Sequence, residues 1–297
     1  MSEGESKNCT VGKYLLARLK EVGVKQIFGI PGDFVIGLCA QVPSNGLQGI
    51  GCCNELNAGY AADGYARENG VGCCMVTWGV GELSAVNAIA VSFVDHVRVV
   101  LISGAPERRA RKEDLPLHHK VGPYTTPRKI FKRITVASAF LDNPEDALHQ
   151  IDHCLSVCLR KKGPVYICIP IDMVDTPCAG SCIGPFAPLK LVKEDIDEVA
   201  AKESTEEAAR MLNAAARPVI IGDAGVVRYG LKSQFRALVE HTGMPFALML
   251  MAKGIIDEEH PQFIGCYAGR RAKKEVWEYV ESSDCVLQLG VFPTDKN

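Results

Sequence analysis

Short, almost wholly apolar runs recur along this chain between segments of helical periodicity, and that alternation limits the folds open to it. Residues 71–77, 97–103 and 164–170 carry apolar side chains at consecutive positions. A strand with one wet face alternates apolar and polar residues. A strand that is apolar throughout is covered on both sides, as in a parallel sheet layered between helices. Helical spacing flanks each run. Thr10 stands where it can cap a helix whose apolar positions are Val11, Tyr14, Leu15 and Leu19. Strands over 25–30 and 47–53 follow, joined by the turn Pro31-Gly32-Asp33, with Asp33 placed to cap a helix over 34–41. Helices are expected over 54–67, 82–94 and 144–161.

Pro177, Pro185 and Pro188 then interrupt all periodicity, and a second series begins. It holds helices over 204–216, 231–242 and 273–282 and strands over 218–222, 245–250 and 284–289. The reading is α/β, with two successive doubly wound parallel-sheet domains over 1–172 and 196–297, joined by a linker over 173–195. The second domain is expected to be incomplete, because its sheet would need further strands to cover an edge.

Composition narrows the function. Acids and bases nearly cancel, 35 Asp and Glu against 33 Lys and Arg, so there is no basic imbalance to hold nucleic acid. The cluster Arg108-Arg109-Ala110-Arg111-Lys112 runs straight into Glu113 and Asp114 and reads as a solvated loop. A polar, acid-bearing start lacks the features of a secretory leader, and Gly, Asp or Arg interrupts every apolar stretch short of a membrane span. Thirteen cysteines, an odd number, cannot all pair within one chain. Cys154 and Cys158, like Cys178 and Cys182, are separated by three residues rather than the two of a zinc knuckle. A reduced, cytoplasmic protein without a metal-thiolate site is expected.

Four side chains and one turn stand where open α/β sheets bind ligands, beyond the carboxyl ends of strands. Glu55 opens a helix rich in Ala and Gly; it is either an acid favoured by the helix dipole or a ligand group beside a surface that admits close approach. Asp33 is either a helix cap or a second acid facing the same crevice, and two acids in one site drive their pKa values apart. His118 and His119 suit proton shuttling, but neighbours in an extended segment point opposite ways, so both reach one site only if the loop bends. Thr77-Trp78-Gly79-Val80-Gly81-Glu82 joins a strand to a helix and exposes backbone amides. It is not a nucleotide-triphosphate loop, and Gly222-Asp223-Ala224-Gly225 lacks the third glycine of a dinucleotide fingerprint.

Taken together, Gly29-Ile30-Pro31-Gly32-Asp33-Phe34, the segment Asn54-Glu55-Leu56-Asn57-Ala58-Gly59-Tyr60-Ala61-Ala62-Asp63-Gly64, Trp78-Gly79-Val80-Gly81-Glu82-Leu83-Ser84 and Leu117-His118-His119 resemble the pyruvate decarboxylase and indolepyruvate decarboxylase family of thiamine-diphosphate enzymes. Asp257-Glu258-Glu259-His260-Pro261 extends the likeness, which runs from about residue 10 to the last. The Glu55 segment marks thiamine-diphosphate enzymes in general, and the paired histidines narrow it to the decarboxylases. The resemblance implies non-oxidative decarboxylation of a 2-keto acid to an aldehyde and carbon dioxide. The implied cofactors are thiamine diphosphate and Mg2+, in a homo-oligomer, dimer or tetramer. Glu55 resembles the glutamate that bonds N1′ of the aminopyrimidine, and residues 1–172 would be the pyrimidine-binding domain. Thr77 and Gly79 lie in the turn expected to border that ring. Asp33, His118 and His119 resemble the groups that handle the protons of the intermediate.

The family's Gly-Asp-Gly…Asn segment, which binds magnesium and through it the diphosphate, has no counterpart in these residues. Gly222-Asp223-Ala224 lacks the final glycine, and Gly32-Asp33-Phe34 already belongs to the pyrimidine-side motifs. The chain is therefore expected to be a truncated decarboxylase, inactive by itself. The alternatives are a half-enzyme completed by another chain and a non-catalytic regulatory or assembly partner of a full-length relative. Lys120, where the family usually has threonine, and Pro123-Tyr124-Thr125-Thr126-Pro127 after it depart from the family pattern near the expected substrate entrance.

Overall fold

The computed structural model describes residues 9–178, 189 and 196–294. The chain divides into two compact units, Met1–Lys193 and Glu194–Asn297.

In the first unit the elements run α1 (Val11–Glu21), β1 (Gln26–Gly29), α2 (Ile36–Gln41), β2 (Gln48–Gly51), α3 (Glu55–Asn69), β3 (Gly72–Val76), α4 (Val80–Ser84), α5 (Val86–Val94) and β4 (Val99–Ala105). Then come α6 (Arg108–Lys112), α7 (Thr126–Phe131), β5 (Ala137–Phe140), α8 (Pro144–Lys161), β6 (Val165–Pro170) and α9 (Ile171–Val174). Six parallel strands lie in the order β2-β1-β3-β4-β6-β5. The chain moves outward from β1 to β2 and returns to the other side of β1 with β3. Loops leaving β1 and β3 thus diverge at a topological switch point, where such sheets form a ligand crevice.

Strand alternation feeds two cores, one on each face. Cys73, Met75, Val100 and Ile102 pack with Leu15, Leu16 and Leu19 of α1 and Ile151 and Leu155 of α8. Cys74, Val76, Val99 and Leu101 pack with Ala58 and Ala62 of α3 and Ile89 of α5. The adjacent cysteines of β3 therefore serve opposite cores, in keeping with the behaviour of a buried thiol as a small hydrophobe. Gly72 lets α3 lie close to the sheet: a Cβ there would stand 2.0 Å from the Ala62 carbonyl oxygen.

The second unit holds α10 (Glu198–Ala214), β7 (Pro218–Gly222), α11 (Ala224–Arg228), α12 (Lys232–Thr242), β8 (Phe246–Leu248), β9 (Phe263–Cys266), α13 (Lys274–Glu281) and β10 (Cys285–Leu289). Its four strands are parallel in the order β10-β7-β8-β9. Ile220, Phe235, Val239, Phe246 and Leu248 fill one face, and Val219, Ile221, Ala247 and Val276 the other.

Several sequence expectations are corrected. Asp33 does not cap α2: that helix starts at Ile36, flanked by Val35 with no side-chain cap. The helix expected over 82–94 is two helices parted at Ala85, the first starting at Val80. The basic cluster Arg108–Lys112, expected as a solvated loop, forms the short helix α6. Strands β5 and β9 carry weak strand signals, and each forms by pairing with a stronger neighbour, β6 and β8. Helix α10 begins at Glu198, ahead of the expected 204. The expected linker, 173–195, lies largely outside the described residues; its described beginning completes α9.

Candidate active site

The loops leaving β1 and β3 touch directly. A Cβ on Gly32 would stand 2.6 Å from Thr77 Cβ, so only glycine lets the two loops meet. Released from capping, Asp33 turns toward the histidine loop, and its Oδ2 lies 2.9 Å from His118 Nε2. The His118 ring stacks on Phe34, with centroids 5.1 Å apart and planes 19° from parallel, which holds the nitrogen in place. Trp78 packs edge-on against Phe34 at 5.9 Å and face-on against Tyr124 at 5.1 Å. Tyr124 in turn donates its hydroxyl to the Leu115 carbonyl at 2.6 Å.

The bend that the paired histidines need is present. His119 has φ 64°, in the left-handed region that side chains other than glycine rarely adopt. The kink turns its ring edge-on to His118, with centroids 4.7 Å apart. It also presses the His119 carbonyl against Gly79, where an added Cβ would lie 2.0 Å from that oxygen. Gly79 itself has φ 72°, so both its conformation and its neighbour require glycine.

Glu55 is the first residue of α3, whose N-cap Asn54 accepts the Asn57 N–H at 2.8 Å. Its carboxylate thus stands at the positive end of a helix. A Cβ on Gly81 would lie 3.2 Å from Glu55 Oε1 and 2.7 Å from Thr77 Cγ2, so glutamate, threonine and the glycine turn form one surface. Thr77 is buried, and its Oγ1 has no hydrogen-bond partner among the described residues. The six candidates form two groups. Asp33, His118, His119 and Gly79 form a chain of successive contacts, and Glu55 and Thr77 meet across Gly81. The Gly32–Thr77 contact joins them.

Glu82 belongs to this framework, although sequence reasoning took it only for a helix start. It is fully buried, accepts the Gly79 N–H at 2.9 Å and accepts the Tyr166 hydroxyl at 2.7 Å. Desolvation raises its pKa to about 7, against the opposing pull of hydrogen bonds from Gly79, Tyr166 and Ser103. Tyr166 lies flat on Phe131 at 4.9 Å. The available signal was an acid three residues after a turn glycine, the spacing of a capping box.

Residues 9–127 match the model of the thiamine pyrophosphate enzyme N-terminal TPP binding domain, and residues 205–296 match that of the thiamine pyrophosphate enzyme central domain. The chain belongs to the thiamine pyrophosphate enzymes. It is 38% identical over 291 residues to a pyruvate decarboxylase of Kluyveromyces marxianus, covering 97% of this chain and 51% of that protein. It is 37% identical to a pyruvate decarboxylase of Aspergillus fumigatus over 295 residues, 98% of this chain and 51% of the relative. Pyruvate decarboxylase isozyme 1 of Saccharomyces cerevisiae gives 37% over 291 residues, with 97% and 51% covered. The chain thus spans about half the length of the curated relatives it matches. Asp33, Glu55, Thr77, Gly79, His118 and His119 all fall within the N-terminal match.

The residues present suit one edge of a flat, nitrogen-bearing ring. Thr77 offers a buried oxygen without a partner, Glu55 a carboxylate at its rim, and Gly79 and Gly81 a surface without side chains. Among the described residues, no group of three or more His, Cys, Asp or Glu is arranged to hold a metal ion, and no helix is long and apolar enough to cross a membrane.

Proposed function

We propose that this chain supplies the pyrimidine side of a thiamine-diphosphate-dependent decarboxylase acting on a 2-keto acid, pyruvate or indolepyruvate, to give an aldehyde and carbon dioxide. The observation that carries the reading is the joined cluster itself. A hydrogen-bonded Asp33–His118 pair with His119 beside it meets, through Gly32 and the Gly79–Gly81 turn, a carboxylate and an unpartnered threonine oxygen. When bound, thiamine diphosphate supplies an electron sink for the bond that breaks as carbon dioxide leaves.

The roles on the pyrimidine side fall to the chain. Glu55 would hold the ring nitrogen N1′ from its place at the amino end of α3. Thr77 gains the partner it lacks, and the glycine turn keeps the ring face clear. Asp33 and His118 share a proton across their contact, and Phe34 keeps the imidazole aimed. His119, turned by its left-handed backbone, is a second proton carrier on the same wall. Magnesium and the diphosphate would be held by a diphosphate-binding domain carried on another chain, such as a full-length relative. The isolated chain is inactive.

Calorimetric titration with thiamine diphosphate and Mg2+, together with an aldehyde assay on pyruvate and indolepyruvate, tests the proposal. The chain alone gives weak binding and no aldehyde. Adding a separately expressed diphosphate-binding domain of a relative restores both, and Glu55→Gln abolishes the restored turnover. Restored turnover that survives Glu55→Gln overturns the assignment.

A further inference from the structure

We propose that Cys9 and Cys178 form a redox-active pair that closes into a disulfide, clipping the segment in front of α1 to the segment that leaves α9. Their sulfurs stand 3.3 Å apart although the residues are 169 positions apart in the chain. The backbone produces this approach. Thr10 and Pro177 form an antiparallel bridge, with Val11 N–H donating to the Thr176 carbonyl and Cys178 N–H to the Cys9 carbonyl, each at 3.0 Å. Cys9 and Cys178 are therefore directly opposed in the hydrogen-bonded position, where antiparallel partners have Cα atoms about 5.5 Å apart. Disulfides span Cα separations of about 4.4–6.8 Å, so the backbone already stands at the required distance.

The frame on both sides is fixed. Thr10 accepts the Lys13 N–H and caps α1, while Thr176 donates its hydroxyl to the Asp172 carbonyl at 2.7 Å. Gly12 brings α1 against α9, since a Cβ there would lie 2.9 Å from the Val174 carbonyl oxygen. Both cysteines are half-buried at the rim of the α1 core, so a reagent reaches them. Cys154 and Cys158, by contrast, are fully buried, and desolvation pushes each thiol up to about 12, which keeps them protonated and unreactive.

A small-molecule disulfide such as oxidised glutathione is the oxidant. One cysteine thiolate attacks it, forming a mixed disulfide and releasing one glutathione thiolate. The second cysteine thiolate attacks the protein sulfur of that mixed disulfide and releases the other. Two electrons pass to the reagent, which ends as two thiols after taking up the two protons that the cysteines lost. The closed loop encloses nearly the whole first unit, so the oxidised chain melts higher than the reduced one by roughly 5–15 °C.

The experiment incubates the full chain with oxidised glutathione and maps the products by non-reducing peptide mass spectrometry alongside thermal melting. The expected product is a Cys9–Cys178 cross-link, two hydrogens lighter than the dithiol and reversed by dithiothreitol. The higher melting temperature disappears in Cys9→Ser and in Cys178→Ser, whose reduced forms melt with the reduced wild type. Cys9 and Cys178 that both stay alkylatable at an oxidant concentration that fully modifies exposed Cys53, or that end as separate glutathione adducts, overturn the proposal. A bond from Cys9 to Cys182 or to any other cysteine overturns it equally.

Discussion

Replacing Glu82 by glutamine tests whether the glycine turn is held by a buried carboxyl that keeps its proton. Burial raises this group from the ordinary glutamate value of 4.5 to about 7. Between those values the unfolded chain has released the proton while the folded chain retains it, so unfolding releases a proton and stability falls as pH rises. The contribution is fully present below 4.5 and lost as pH passes through about 7. Its size is about 3 kcal/mol, from 1.36 kcal/mol for each pH interval of one. Glutamine fills the same space and does not titrate. It accepts the Gly79 N–H through its oxygen and offers its amide to the Tyr166 hydroxyl, so the geometry survives. The assay is urea unfolding at several pH values in a Trp277→Phe background, which leaves buried Trp78 as the only tryptophan and reports the unit that holds Glu82. Because all other groups titrate in both proteins, the difference between them isolates Glu82. Wild type should lose about 3 kcal/mol relative to Glu82→Gln between pH 4.5 and 8. Parallel stability curves over that range would show that Glu82 does not keep its proton in the folded chain.

Two further substitutions probe the turn and the unpartnered oxygen. Gly79→Ala forces a side chain onto a residue at φ 72° and against the His119 carbonyl, and should cost about 2–4 kcal/mol of unit stability in denaturant titration. Thr77→Val removes a buried hydroxyl that has no partner and keeps its shape, so the cofactor-free chain should gain about 1 kcal/mol. In the complemented enzyme the same change should weaken thiamine diphosphate binding about tenfold, which calorimetry reads. A Thr77→Val chain less stable than wild type would mean that the oxygen has a partner in solution.

The sheet architecture was legible because strands covered on both faces must be apolar throughout, and the runs ending at Thr77, Ser103 and Pro170 say so directly. Strands β5 and β9 were not legible: Ala137-Ser138-Ala139-Phe140 has little strand character of its own, and pairing with β6 decides its conformation. Asp33 shows the limit of local chemistry. An acid before a helix is read as a cap, but a histidine 85 residues away competes for the same carboxylate and wins. The bend at His119 is a single left-handed residue, a conformation histidine adopts only occasionally, and it is accompanied by the close fit of its carbonyl to Gly79. Glu82 was hidden for a related reason. Its partner Tyr166 lies 84 residues on and is brought to it only by the placement of β6 beside β4.

The assignment of Glu55 and Thr77 to the pyrimidine side of a thiamine diphosphate site is tested by cofactor titration of wild type and Glu55→Gln in the presence of a supplied diphosphate-binding domain and Mg2+. Wild type should bind and release aldehyde from a 2-keto acid, and the variant should retain its fold by circular dichroism while losing at least about 1.4 kcal/mol of binding, a factor of ten, and nearly all turnover. Equal binding and turnover by the two proteins would contradict the account.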